Sequence, residues 1–167
     1  MHDSFFNSAG IAMTSNLDGI DRKIVAALQR NGRASNVELA AVVHLSAPQC
    51  FRRTRALEER RVITGYSARV DPAALGYAVT AYVAVSIAGD QFARVREIER
   101  ELAAFEQVLE CHAVSGDHDY LLKVVAQDLK DLSQLLTDRL MQTQGVDDVR
   151  SMIALEEIKA PSPVPVD

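Results

Sequence analysis

Apolar side chains recur at helical spacing through the first seventy residues and then change period repeatedly. In "LDGIDRKIVAALQRNG", Ile20, Ile24 and Leu28 share one face, Asp18 is placed as N-cap, and Asn31-Gly32 ends the helix. "SNVELAAVVH" opens on Ser35 with Glu38 three residues later, the spacing of a capping box, and predicts a second helix. "SAPQCFRRTRALEER" predicts a third, with Ser46 and Gln49 as another such box and Pro48 tolerated in the first turn. "RVITGYSARVDP" then alternates toward β around a turn at Thr64-Gly65.

From Thr80 onward strands and helices alternate. "TAYVAVSIAG", "QVLECHAVSG", "DYLLKVVAQ" and "GVDDVRSMIALEEIK" are β-branched and apolar and predict strands. Phe92, Val95, Ile98, Leu102 and Phe105 mark one helix, and Leu129, Leu132, Leu136 and Leu140 mark another. The order β-α-β-β-α-β is the ferredoxin-like plan, an antiparallel sheet with both helices on one face. The fold class is therefore α+β, with a winged helix-turn-helix over residues 17–70, a linker at 71–78, and a ferredoxin-like domain over 79–159. Residues 1–16 and the proline-rich 160–167 are expected to be a disordered leader and a loose tail. The bare face of the sheet needs cover, which a second copy of the chain would supply, so a dimer is expected.

Charge sharpens this division. The whole chain carries a net −5, yet residues 1–70 sum to +4 and residues 71–167 to −9. A basic module suited to a polyanion is thus joined to an acidic module with another task. Helices two and three are separated only by a few residues around His44-Leu45-Ser46, which forces the sharp turn of a helix-turn-helix. The second helix of that motif enters the major groove with its N-terminal residues toward the bases. Plotted at the helical period, Gln49, Arg52, Arg53, Ala56 and Arg60 form one stripe, opposite Ala47, Cys50, Phe51, Thr54 and Leu57. Double-stranded DNA is the implied partner, with Ser46, Gln49, Arg52, Arg53, Arg60 and Arg61 as candidate contacts, and Arg69 in reach of phosphate from the wing.

Other chemistry is weakly signalled. No apolar run is long enough for a membrane span, and the start is not patterned as a secretory signal, so a cytoplasmic protein is expected. Cys50 and Cys111 form no C-x-x-C motif and read as small buried residues. Cys111, His112, Asp117, His118 and Asp119 match no zinc spacing, and neighbours 111 and 112 point to opposite faces of a strand, so no metal is expected. Asp117 and Asp119 lack an accompanying nucleophile or phosphate loop, which argues against an enzyme. Asp119 suits the amino group of a zwitterion better.

The blocks "LDGIDRKIVAALQRNGR", "ELAAVVHLS", "RRTRALEERRVITGYSARVDPAALGY", "ECHAVSGDHDYLLKV" and "SMIALEEIK" follow one another with the order and spacing of the Lrp/AsnC family, the feast/famine regulators. The sequence resembles that family over about residues 17 to 159. The resemblance implies a transcription regulator with no cofactor, whose C-terminal domain dimerises, assembles further to a tetramer or octamer, and binds a small effector, usually an amino acid. It places the effector between dimers, around Gly116, Asp117, His118, Asp119 and Tyr120, with Ser151, Met152 and Ile153 of the last strand and Leu129 and Met141 of the second helix nearby. An architectural DNA-wrapping protein without an effector is the alternative. Three departures stand out: His44 and Arg61 occupy positions where the family has glycine, and His118 replaces its Tyr or Phe.

Overall fold

The computed structural model describes residues 17–166. The leader at 1–16, Asp167 and the side chain of Phe92 lie outside the described residues. The chain folds into two units: residues up to Ala68 together with those from Lys159 onward, and Arg69–Ile158 between them.

The first unit holds α1 (Gly19–Arg30), α2 (Asn36–Val43) and α3 (Ala47–Glu59). Asp18 caps α1 by accepting from the amides of Ile20 and Asp21 at 2.9 and 2.8 Å. At α2 the capping box closes in both directions, Glu38 accepting from the Ser35 amide at 2.6 Å and Ser35 from the Glu38 amide at 3.2 Å. The box at α3 works differently. Gln49 Oε1 takes both the Ser46 amide, at 3.0 Å, and the Ser46 hydroxyl, at 2.9 Å. Ile24, Leu28, Leu39, Val43, Cys50 and Leu57 form the core, and Leu45, Val62 and Ile63 pack against it.

Both non-glycine residues flagged at glycine positions adopt left-handed backbone, His44 at φ 55° and Arg61 at φ 56°. Each ends a helix in a conformation that costs an L-residue about 1–2 kcal/mol, so these joints are fixed by packing rather than by local preference.

The predicted wing does not form. Residues 60–71 contain no strand, and no turn is made at Thr64-Gly65. The carbonyls at the end of α3 take the amides instead. Arg61 donates to Glu58 O at 2.9 Å, and Val62 and Ile63 both donate to Leu57 O, at 2.9 and 3.2 Å. With Val62 and Ile63 drawn onto the helical core, the alternating pattern is used for burial one segment at a time. The tail also departs from expectation. It is docked in the helical unit, where Gln29 donates to Val164 O at 3.0 Å and accepts from the Val164 amide at 2.7 Å. A side-chain amide satisfies both backbone groups of one residue, which a strand neighbour would otherwise do.

The second unit begins with a 3₁₀ turn, Pro72–Leu75, and continues as β1 (Val79–Ile87), α4 (Val95–Ala104), β2 (Val108–Ala113), β3 (Tyr120–Ala126), α5 (Leu129–Gln134) and β4 (Val146–Ile153). A 3₁₀ segment, Gly89–Arg94, leads into α4, and a π-helical stretch, Leu135–Leu140, prolongs α5. The sheet order is β2-β3-β1-β4, with each neighbouring pair antiparallel. This is the predicted ferredoxin-like order. Ala81, Val83, Val85 and Ile87 of β1 and Leu122 and Val124 of β3 are buried with Ile98 and Leu102 of α4 and Leu132, Leu135 and Leu140. The α5 side closes at Gly145, whose φ of 100° and whose carbonyl, accepting from Ala88 at 3.0 Å, tie β4 to the end of β1.

Among the described residues no helix of this unit packs on the other sheet face. The registers Tyr82↔Lys123, Ala84↔Leu121, Tyr82↔Met152 and Ala84↔Arg150 place these six residues together on it. Tyr82 and Met152 are exposed, and Lys123 pairs with Glu110 at 3.3 Å and Arg150 with Asp148 at 2.8 Å along the strands. Cys111 is half-buried against the helix-side core while His112 is exposed, the opposite-face arrangement expected of neighbours in a strand.

Candidate nucleic-acid interface and effector turn

The rotation of α3 decides which of its arginines can face a groove. Cys50 and Leu57 are fully buried, so the outward line runs on the opposite side through Pro48, Arg52, Arg55 and Glu59, with Phe51 and Ala56 at its edges. This is roughly 85° from the stripe read off the sequence. Arg53 consequently turns inward, while Arg60 stays exposed at the edge of the same ion cluster. Arg53 Nη1 lies 2.7 Å from Asp18 and 2.6 Å from Asp21, and Arg60 lies 3.8 Å from Asp21. Asp21 is only 8% exposed, so its carboxylate needs these partners. The bonds from the Asp21 amide and Arg53 hold the Asp18 carboxyl below the usual carboxylate range. Two expected DNA contacts are thus the clamp between α1 and α3.

The other candidates divide. Arg52 is exposed on the outward line. Ser46 and Gln49 are exposed but bonded to each other at the helix start. Arg55, absent from the expected contacts, is exposed and pairs with Glu59 at 3.2 Å. Arg61 and Arg69 are exposed in the strand-free segment after α3. Asp21 was the missed residue. Its signal was present, because it stands three residues before the buried Ile24 and seven before Leu28, on the apolar stripe of α1.

In the second unit the turn 115–118 joins β2 to β3, with Gly116 at φ 126°. Asp119 fastens this turn to β1 twice and closes it on itself once. Its amide donates to Val85 O at 3.0 Å, its carbonyl accepts from Val114 at 3.0 Å, and its Oδ2 accepts from the Ile87 amide at 2.8 Å. The last bond takes the Ile87 amide just beyond the end of the β1–β3 pairing, which stops at Val85↔Tyr120, so the carboxylate continues the ladder where β3 has ended. His118 Nδ1 lies 3.0 Å from Ser86 Oγ. Asp117 is exposed, whereas Tyr120 is buried. The Tyr120 ring is buried on the helix side, and its hydroxyl donates to Glu99 of α4 at 3.0 Å. It is a core residue, and a turn ligand would not meet it.

The remaining effector candidates lie apart within one chain. The register Ala81↔Ile153 puts Ile153 toward the start of β1, and Leu129 follows β3 at the same end of the sheet, because Ala126 faces Val79. The turn sits at the other end, where Tyr120 faces Val85, about 13 Å away along the strand. Leu129 and Met141 are 61% and 41% exposed, so neither is a core residue.

Burial of Tyr120 and the partial burial of the half-exposed Tyr66, reinforced by the bonds to Glu99 and to Glu58, push the two hydroxyls up to about 12. Neutral phenols therefore stabilise the fold in full below pH 10 and lose that contribution as pH rises through about 12. Following phenolate absorbance on alkaline titration, two tyrosines should ionise near pH 12, and Glu99→Gln should bring one of them down. If all four tyrosines ionise together near pH 10, these two hydroxyls are not held as described.

The helix-turn-helix geometry and the four-stranded sheet agree with comparison to known proteins. Residues 17–58 match the AsnC-type helix-turn-helix domain, and residues 80–164 match the Lrp/AsnC ligand binding domain. The chain belongs to the Lrp/AsnC family. It is 41% identical to the leucine-responsive regulatory protein of Rhizobium meliloti over 143 residues, covering 86% of this chain and 92% of that one. Against the protein of the same name from Escherichia coli K12 it is 40% identical over 146 residues, covering 86% and 87%. Among solved structures it is similar to a transcriptional regulator from Neisseria meningitidis in complex with L-Met, at TM-score 0.82 and 35% identity over 90% of this chain and 97% of that one. A feast or famine regulatory protein from M. tuberculosis complexed with L-methionine gives TM-score 0.80 and 35% identity over 86% and 95%. As an Lrp/AsnC protein this chain is a DNA-binding transcriptional regulator and not an enzyme, and its α3 is the second helix of the helix-turn-helix. No helix among the described residues is long and apolar enough to cross a membrane.

Proposed function

We propose that this regulator responds in the cytoplasm to an amino acid, held at a site that more than one copy of the chain must complete. The observation that carries the reading is the fastened turn at Gly116–Asp119. It presents backbone amides, Asp117 and His118 at a sheet end, while Leu129 and Ile153 stand some 13 Å or more away along the strands, Ser151 and Met152 lie on β4 across β1, and Met141 follows the far end of α5. Assembly is the simplest way to bring these groups together. The helix-free sheet face with Tyr82, Ala84, Leu121 and Met152 would pair two copies, and dimers would associate further to a tetramer or octamer. Two relatives complexed with L-methionine support an amino acid as the class of ligand. Ser46, Arg52, Arg55 and Arg61 would contact DNA, with Arg53 and Arg60 holding α3 at its angle.

A thermal-shift series with the common amino acids tests this on the intact protein. The effector should raise the melting temperature, since a ligand at 100 times its Kd adds about 2.7 kcal/mol. The same compound should change affinity for DNA, and Asp117→Ala should weaken both effects while leaving affinity without ligand near wild type. If no amino acid shifts the melt or alters DNA binding, the chain is an architectural DNA-wrapping protein instead.

A further inference from the structure

Phe51 is the fifth residue of α3 and is 57% exposed. It is not among the side chains that form or flank the core of the helical unit. Helical spacing makes Arg55 its neighbour one turn later, and Arg52 follows it directly on the same outward side. A large ring is thus left in water at the edge of an arginine-bearing face, in the N-terminal half of the helix that a helix-turn-helix inserts into the major groove.

The groove narrows what the ring can meet. Base edges there present hydrogen-bond donors and acceptors, which a phenyl ring cannot satisfy, and one apolar group, the C5-methyl of thymine. A ring that covered a polar base edge would strip it of water without a replacement bond. We propose that Phe51 is a specificity-determining residue, packing its ring on a thymine methyl while Arg52 or Arg55 engages an adjacent base or phosphate. The proposal rests on α3 being the reading helix.

The test uses the full-length protein and duplexes selected from random sequence by the wild type and by Phe51→Ala. The wild-type sites should contain a fixed thymine that the variant's sites lose. Replacing that thymine by deoxyuridine, which lacks only the methyl, should weaken wild-type binding roughly fourfold, the worth of burying one methyl, and leave Phe51→Ala unaffected. Equal losses in the two proteins, or no methyl effect at any fixed thymine, would overturn the proposal. So would a changed oligomeric state for Phe51→Ala in sedimentation with an unchanged site preference, because the ring would then be a contact between copies. Arg52→Ala separates the two levels of the argument. If it binds like wild type, α3 is not the reader and both readings fall. If it weakens binding while Phe51→Ala keeps the wild-type site, only the role of Phe51 is lost.

Discussion

Arg53→Ala is expected to destabilise the helical unit by about 2 kcal/mol, because it leaves the buried Asp21 carboxylate with only the 3.8 Å contact to Arg60. That figure is below the full value for a buried pair, since the Arg53 side chain is itself 34% exposed and partly screened. For a unit this small the melting temperature should fall by roughly 8–16 °C. Arg52→Ala should do the reverse. Calorimetry should find its stability unchanged, while DNA affinity measured by anisotropy should drop by about 1–3 kcal/mol if the guanidinium meets a base edge. The neighbouring arginines thus provide an internal control on the rotation of α3. If Arg53→Ala melts like wild type and loses DNA affinity as Arg52→Ala does, the helix presents the face read from the sequence stripe.

The largest stability effect in the second unit should come from Gly145→Ala. The backbone at φ 100° is hostile to any side chain, and an added Cβ would stand 2.7 Å from Ile98 Cδ1 and 3.3 Å from Gln91 Cβ. Left-handed strain of about 1–2 kcal/mol combines with overpacking of about 1–3 kcal/mol. We expect a total near 3 kcal/mol, seen as a lower denaturant midpoint with an unchanged slope. The Ile98 side chain is buried on α4 and cannot move aside freely, whereas Gln91 can. Unchanged stability for this variant would mean that the α5–β4 connection relaxes without disturbing the sheet.

The ferredoxin-like order was readable because each element there buries one side against a single core. Alternation in β1 and three-four spacing in α4 both report the same interior, and nothing competes with them. The reading helix was harder, for a specific reason. Phe51 is the largest apolar residue of α3, and counting it as core pulled the inferred buried face toward it and pushed Arg53 outward. The true axis is set by an ion pair to α1, which hydrophobic periodicity does not register. Tyr120 misled in the same way, since its place in the turn motif hid its parity in β3, which is that of Leu122 and Val124. The wing failed because alternation over so few residues cannot distinguish a strand from a segment that tucks Val62 and Ile63 under a helix end. Tail docking includes a side-chain amide 135 residues away, a contact no local pattern could announce.

That contact also imposes an order on the making of the protein. The helical unit is discontinuous in the chain, opened by α1 and finished only by residues from Lys159 onward. Gln29 and Val164 are 135 positions apart, so at a ribosome's usual pace roughly 7–27 s separate their synthesis. Throughout that interval the three helices must hold together by their own small core, and the entire sheet unit emerges and can fold before Val164 reaches Gln29. A segment made after the sheet unit is therefore the one that reaches back to the first helix.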